Sequence, residues 1–216
     1  MRANDLLASC KDCLSTPLLY LDIGTGLGYN ASVFGIVAKE TIVLDVNLRV
    51  GNNLRKLRDA CLIIGDGMNL PLSEGAVDMI SLFSVIEHVP DQEQLLKEIN
   101  RVLKRNGILI IQVPNRFFLV ELHSGLPLFF YLPKRLRVFL TNGTKYSWLK
   151  AIDVPSIKNL VTLICTVEPR LNITVRKVKY STAIISPKFK VFYGLASRSG
   201  FLDILPLGYL VIAKKV

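Results

Sequence analysis

The chain has 216 residues, half of them hydrophobic, which suffices for a substantial core and is most simply one domain. Its formal charge of +10 sits in one half: residues 1–114 hold 11 Lys and Arg against 13 Asp and Glu (net −2), residues 115–216 hold 16 against 4 (net +12). No stretch reaches the roughly 20 uninterrupted apolar residues of a membrane span; "LHSGLPLFFYLP" stops at Pro133 after 12 uncharged residues.

The opening "MRANDLLASCKDC" carries Asp5 and Asp12 and no long apolar block. It does not read as a secretory signal, so a cytoplasmic location is expected. The sequons at Asn30, Asn142 and Asn172 then read as chance. Cys10 and Cys13 form a lone CxxC. With Cys61, Cys165 and only two histidines, His88 and His123, the cysteines read as spare and no metal site is expected. The basic second half suits an acidic partner: anionic lipid, nucleic acid or a negatively charged substrate. Its bland alternative is a solvated basic surface.

In chain order, "PLLYLDIG" (17–24) is a short apolar run stopped by glycine, hence a buried strand. "NASVFGIVAK" (30–39) predicts a helix with Val33, Phe34, Ile36 and Val37 on its apolar side. "TIVLDVN" (41–47) is β-branched and predicts the second strand. "LRVGNNLRKLRDA" (48–60) reads as a polar helix weakened by Gly51. "CLIIGDG" and "AVDMISLFSVI" predict strands three and four. A clear helix follows, capped by Asp91 with Gln94 three residues on. Leu95, Leu96, Ile99, Val102 and Leu103 share one face of a 3.6-residue period. Asn106-Gly107 is expected to end it as a left-handed cap. "ILIIQVP" (108–114) predicts the fifth strand.

The second half is less regular. "PSIKNLVTLICTV" (155–167) predicts a helix, "RLNITVRKVKYS" a strand with one wet face, and "GYLVIAKKV" a last strand. Strand–helix alternation at this spacing implies right-handed βαβ units and a parallel sheet covered on both faces. Ligands of such sheets bind beyond the carboxyl ends of the strands. Asp22, Asp45, Asp66, Glu87, His88 and Asn115 all fall there.

"LDIGTGLG" places Gly24, Gly26 and Gly28 directly after the first strand. The dinucleotide fingerprint G-x-G-x-x-G needs a glycine at position 29, which is Tyr. A dinucleotide also rests its pyrophosphate on the following helix start, and Asp22 would repel it. S-adenosylmethionine brings an ammonium that Asp22 can receive, directly or through water. Asp45 can accept both ribose hydroxyls of either cofactor. Asp66 can accept from an adenine amino group, with Met68 against the ring. Each aspartate alone could be a turn or capping residue; three at the ends of three consecutive strands form a constellation.

These residues resemble a class I S-adenosylmethionine-dependent methyltransferase of the type 11 or 12 group. The resemblance runs through "YLDIGTGLG", "VLDVN", "GDGMNLPLSEGAVDMISLFSVIEHVPD" and "EINRVLKRNGILIIQVPN", covering residues 18–115. It implies an α/β, Rossmann-like sheet of seven strands in order 3-2-1-4-5-7-6 with the last strand antiparallel. It places Asp22, Gly24 and Gly26 at the methionine end, Asp45 at the ribose and Asp66 at the adenine. Ser84 matches a backbone position lining the cofactor. Gly28, Tyr29, Val46, Gly67 and Met68 are expected to complete the cofactor site. One departure is "KRNG" (104–107), where the family usually has Lys-Pro-Gly-Gly. Beyond Arg116 the resemblance is loose; residues 116–168 are expected to form a substrate-recognition lid within a single domain spanning 1–216.

The implied reaction displaces methyl from sulfonium onto an acceptor, largely by positioning. A base is needed only if the acceptor must lose a proton. His88 is the leading candidate, and its alternative is a residue that merely shapes the pocket. Glu87 reads as structural. Glu121 and His123, in the expected lid, are further candidates for a base or a polar contact. In "LPKRLRVFL", Leu132, Leu136, Phe139 and Leu140 can share a helical face beside Lys134, Arg135 and Arg137. That pattern fits a membrane surface or an anionic substrate; the favoured reading is a lid helix packed on the sheet with its cations solvated. The acceptor is expected to be a small molecule or lipid-like. The other readings weighed are an RNA methyltransferase, a nicotinamide-dependent oxidoreductase opposed by Tyr29 and Asp22, and a non-catalytic cofactor-fold protein.

Overall fold

The computed structural model describes residues 18–47, 53, 55, 57, 60–119, 128–144, 147, 149, 152–178 and 204–216. Cys10, Cys13, Glu121, His123 and most of the expected helix over 48–60 lie outside them. Seven strands form one sheet: β1 (Leu19–Ile23), β2 (Glu40–Asp45), β3 (Cys61–Ile64), β4 (Val77–Phe83), β5 (Leu103–Pro114), β6 (Leu171–Val178) and β7 (Gly208–Lys215). Their order is β3-β2-β1-β4-β5-β7-β6, as the family resemblance implies. β1 pairs in parallel with β2 and β4, β2 with β3, and β4 with β5. β7 runs antiparallel to both β5 and β6.

Strands buried on both faces must be apolar at consecutive positions, and period-two alternation sorts them. Leu21, Ile23, Ile80, Leu82, Leu109 and Ile111 enter one core. Tyr20, Met79, Ile108, Ile110 and Leu210 enter another on the opposite face. The first core is closed by α2 (Gln92–Val102), through Leu95, Leu96, Ile99 and Val102, and by α4 (Ile157–Val167), through Leu160 and Ile164. The second receives Phe34 from the six-residue helix α1 (Tyr29–Phe34). α3 (Lys134–Thr141) lies between β5 and α4 in the chain.

Several sequence expectations need correction. α1 ends at Phe34 and is followed by a turn, so Ile36 leaves the apolar face and is 77% exposed. β4 stops at Phe83, and Ile86 belongs to a 3-10 turn over Ile86–His88. α2 ends at Val102 rather than at Asn106-Gly107. The physical reason is a different cap: Lys215 Nζ donates to the carbonyls of Asn100 (2.6 Å) and Leu103 (3.0 Å). β5 therefore begins at Leu103, which pairs with Val77, while Ile108 pairs with Met79. The extra residues form a bulge, and Asn106 supplies its left-handed turn with φ of 62°. Lys104 in that bulge bonds Asp78 at 2.9 and 3.0 Å.

Asp91 caps α2 as expected, accepting from Gln94 N at 2.9 Å. The Gln94 side chain does not complete a capping box; it donates to Met68 O at 3.2 Å, tying the helix start to the loop after β3. That loop is also clamped by Arg101, which donates to Leu70 O (3.0 Å), Leu72 O (2.8 Å) and both Glu98 oxygens. Glu98 Oε2 in turn accepts from Leu70 N at 2.8 Å, and Arg101 holds its carboxyl below the ordinary value. Arg101→Ala is expected to strip the Leu72 carbonyl of its Arg101 donor and leave the Leu70 carbonyl with the Leu72 N–H bond alone. The expected result is a lower urea midpoint with an unchanged m-value.

Candidate active site

The turn after β1 is shaped by its glycines. Gly24, Gly26 and Gly28 have φ of 69°, 53° and 74°, a left-handed region that other residues enter at a cost. Gly24 is doubly constrained, because a Cβ there would strike the Val85 side chain. Gly24 N donates to Leu44 O at 2.7 Å, which binds the turn to the end of β2. The following helix start exposes Tyr29.

Asp22, in β1, is 2% exposed. Its Oδ1 accepts from Ser81 Oγ at 2.5 Å, and Ser81 Oγ meets Tyr20 Oη at 2.7 Å. A buried carboxylate is costly to keep charged. Burial raises its pKa to about 6, with the Ser81 bond opposing it and Asp45 adding like-charge repulsion. Among the described residues, no cation is one of the groups that shift it.

Asp45 ends β2, half-buried, with Oδ2 accepting from Gly26 N (2.8 Å) and Oδ1 from Asn47 N (2.8 Å). It therefore fastens the glycine turn while standing at the same sheet edge. Val46 beside it is 62% exposed. Asp66 lies two residues beyond β3, and its Oδ1 accepts from Met68 N at 2.9 Å, an Asx-turn. Gly67 is buried, and a Cβ on it would approach Leu95 Cδ1 at 2.8 Å. Met68 packs partly against the first core. Ser84 follows β4 with φ of 55°. Gln112 stabilises that backbone twice, accepting from Ser84 N at 3.0 Å and from Ser84 Oγ at 2.9 Å.

Parallel register brings these residues to one edge. Asp45 pairs with Ile64, Asp22 with Val43 and Ser81. His88 is exposed at the end of the 3-10 turn after β4. Glu87 is buried, and its carbonyl accepts from Asp153 N at 2.9 Å. Asn115 is a structural staple: its Nδ2 donates to Pro206 O (2.8 Å) and its Oδ1 accepts from Phe117 N (3.0 Å). Sequence reasoning missed Ser81 and Tyr20, the hydroxyl pair behind Asp22. The available signal was a serine inside the otherwise apolar "MISLF" of a buried strand.

A seven-stranded sheet of this order, with a glycine turn and strand-end carboxylates at one edge, defines a class I S-adenosylmethionine-dependent methyltransferase fold. Residues 21–111 match the family described as a methyltransferase domain. A probable S-adenosylmethionine-dependent methyltransferase of Mycobacterium tuberculosis is 33% identical over 97 residues, 44% of this chain and 35% of that protein. A demethylmenaquinone methyltransferase of Bacillus mycoides is 26% identical over 155 residues, 70% of this chain and 65% of that protein. The chain thus aligns with about a third of the length of the first relative and just under two thirds of the second. An S-adenosylmethionine-dependent methyltransferase structure from Mesorhizobium loti superimposes with a TM-score of 0.67 at 15% identity, covering 96% of each chain, which is likeness of fold. The chain is thus similar to class I S-adenosylmethionine-dependent methyltransferases over residues 21–111 and shares their fold, and the cofactor of that family is S-adenosylmethionine.

Proposed function

We propose that this chain transfers a methyl group from S-adenosylmethionine to a small, lipid-like acceptor. The observation that carries the reading is the buried carboxylate of Asp22, held by hydroxyls and by no cation among the described residues, beside the left-handed glycine turn. A cationic ammonium relieves that charge, whereas a pyrophosphate aggravates it. When bound, the cofactor supplies an activated methyl on its sulfonium. Asp22 holds the ammonium, with Ser81 and Tyr20 fixing the carboxylate's orientation. Gly24, Gly26 and Gly28 let the backbone approach the methionine end closely. Asp45 keeps lone pairs for ribose hydroxyls beyond its two backbone bonds. Asp66 and Met68 border the adenine, with Tyr29, Val46, Gly67 and Ser84 lining the remainder.

His88, exposed at the same edge, takes a proton where the acceptor is a phenol or hydroxyl; Glu121 and His123 are secondary candidates. Of residues 116–168, expected as a lid within one domain, α4 closes the first core through Leu160 and Ile164, so the lid role falls to the segment before it. The lipid-like acceptor draws support from the demethylmenaquinone methyltransferase relative and from apolar side chains exposed around Phe117, Tyr131 and Phe139.

Thermal shift with S-adenosylhomocysteine against NADH tests the reading. Stabilisation by S-adenosylhomocysteine is expected, and stabilisation by NADH alone would overturn it. Asp45→Ala is expected to remove the shift at equal ligand concentration, since it deletes the ribose acceptor and loosens Gly26 together. An unaltered shift in that variant would show the site to be misplaced.

A further inference from the structure

α3 is amphipathic in the wrong sense for a helix packed on its own protein. Thr141 is fully buried, while Phe139 is 77%, Leu140 43% and Leu136 42% exposed. At 100° per residue, Leu136, Phe139 and Leu140 form one stripe with the exposed cations Lys134 and Arg135 on its helix, while Arg137, on the stripe's other side, is half-buried against Phe129 and Phe130. The apolar stripe faces solvent, so the favoured expectation of a lid helix packed on the sheet with only its cations solvated fails here. In the segment leading to α3, Leu128 and Tyr131 are also about half exposed, as is Phe117, whose ring lies 6.1 Å from that of Tyr131. Contiguous exposed apolar surface marks an interaction site.

The patch is anchored firmly rather than loosely hung. Tyr131 Oη donates to Phe117 O at 2.7 Å, and Leu128 N donates to Leu119 O at 2.7 Å, tying the segment to the exit of β5. Arg137 lies 5.9 Å from the ring centroids of both Phe129 and Phe130, and Phe129 is buried in the first core.

Charge selects the occupant. From 115 to 152 the sequence holds Arg116, Lys134, Arg135, Arg137, Lys145 and Lys150 against the single acid Glu121. An apolar stripe flanked by cations suits an anionic lipid surface: the stripe enters the acyl boundary while the cations meet the headgroups. We propose that α3, with the aromatic patch beside it, docks this protein on anionic membrane surfaces. The inference deepens the lipid-like acceptor reading and rests on it for its purpose: the docking face adjoins the exit of β5, beside the proposed cofactor edge. Vesicle binding itself needs no catalysis.

Co-sedimentation with vesicles of equal parts phosphatidylglycerol and phosphatidylcholine tests it, with pure phosphatidylcholine vesicles as control. Wild type is expected to partition at least tenfold more strongly to the anionic vesicles and to be released by salt. Phe139→Ser with Leu140→Ser is expected to cut that partitioning at least tenfold, as is Lys134→Glu with Arg135→Glu. All four side chains are exposed, so unchanged melting and unchanged S-adenosylhomocysteine binding certify the fold. No binding to anionic vesicles, or undiminished binding in either variant, would overturn the proposal. A wild-type dimer abolished by the Phe139→Ser, Leu140→Ser pair would also overturn it, assigning the face to a second copy. Salt-sensitive RNA binding that survives while vesicle binding fails would overturn it as well. Loss of S-adenosylhomocysteine binding in wild type would instead strike the cofactor reading alone.

Discussion

Asp22→Asn is expected to weaken S-adenosylhomocysteine binding about hundredfold at pH 8 while making the unliganded protein more stable. The two effects share one cause. A buried carboxylate paired with an ammonium is worth about 2–3 kcal/mol of affinity, because losing it leaves the cation inside without its partner. Without ligand, that same charge is a burden. Asp22 has a pKa of about 6 in the folded protein against an ordinary 3.8. The folded state therefore holds this proton more tightly than the unfolded chain does. Stability from this group is greatest below pH 4, falls as pH rises toward 6, and is flat above. The burden at pH 8 is at most about 3 kcal/mol.

Asparagine still accepts from Ser81 and carries no charge, so the variant should melt higher at pH 8 and no higher at pH 4. Ligand affinity should follow the opposite course. Binding an ammonium requires the ionised carboxylate, so wild-type affinity should fall about tenfold from pH 8 to pH 5. The variant should show no such fall. Calorimetric titration at several pH values reads both. A wild-type affinity that does not change across this range would detach Asp22 from the ammonium.

Gly24→Ala should cost about 2–4 kcal/mol of stability and most of the cofactor affinity. A left-handed φ of 69° costs an alanine roughly 1–2 kcal/mol. The remainder comes from the new methyl, which strikes Val85 in a packed setting. The two contributions can be separated. Val85→Ala in the same chain should relieve the clash and leave the backbone cost, so the double variant should be more stable than the two losses summed. Gly26→Ala is the informative contrast: its Cβ would meet nothing within 4 Å, so only its φ of 53° opposes the change. Urea unfolding measures all three. Additive losses at positions 24 and 85 would mean that the clash is not what fixes glycine there.

How much of this was legible in advance depended on the reach of each cause. α2 was readable because Asp91 and the Leu95–Val102 stripe act within one helix. Its C-terminus was not, because Lys215, more than a hundred residues away in the chain, caps it. Asn106 was correctly suspected of a left-handed turn, yet the turn serves a bulge in β5, since pairing with β4 decides where the strand begins. At the site, the glycine turn and the three strand-end aspartates stood out by type and position. Asp45 and Asp66 nevertheless also hold loop backbone, which only the folded geometry reveals.

By itself the sequence pointed to the alternating parallel strands and the cofactor class, because apolar strands, a glycine turn and carboxylates at strand ends are local, chemically specific marks; the strand order came from the family resemblance those marks carry. Tertiary structure alone decided the state of Asp22, since its raised pKa comes from burial and from Ser81 on a neighbouring strand. It alone also decided which way α3 faces. A stripe of Leu136, Phe139 and Leu140 has the same period whether it packs inward or outward, and only the burial of Thr141 shows that it faces out.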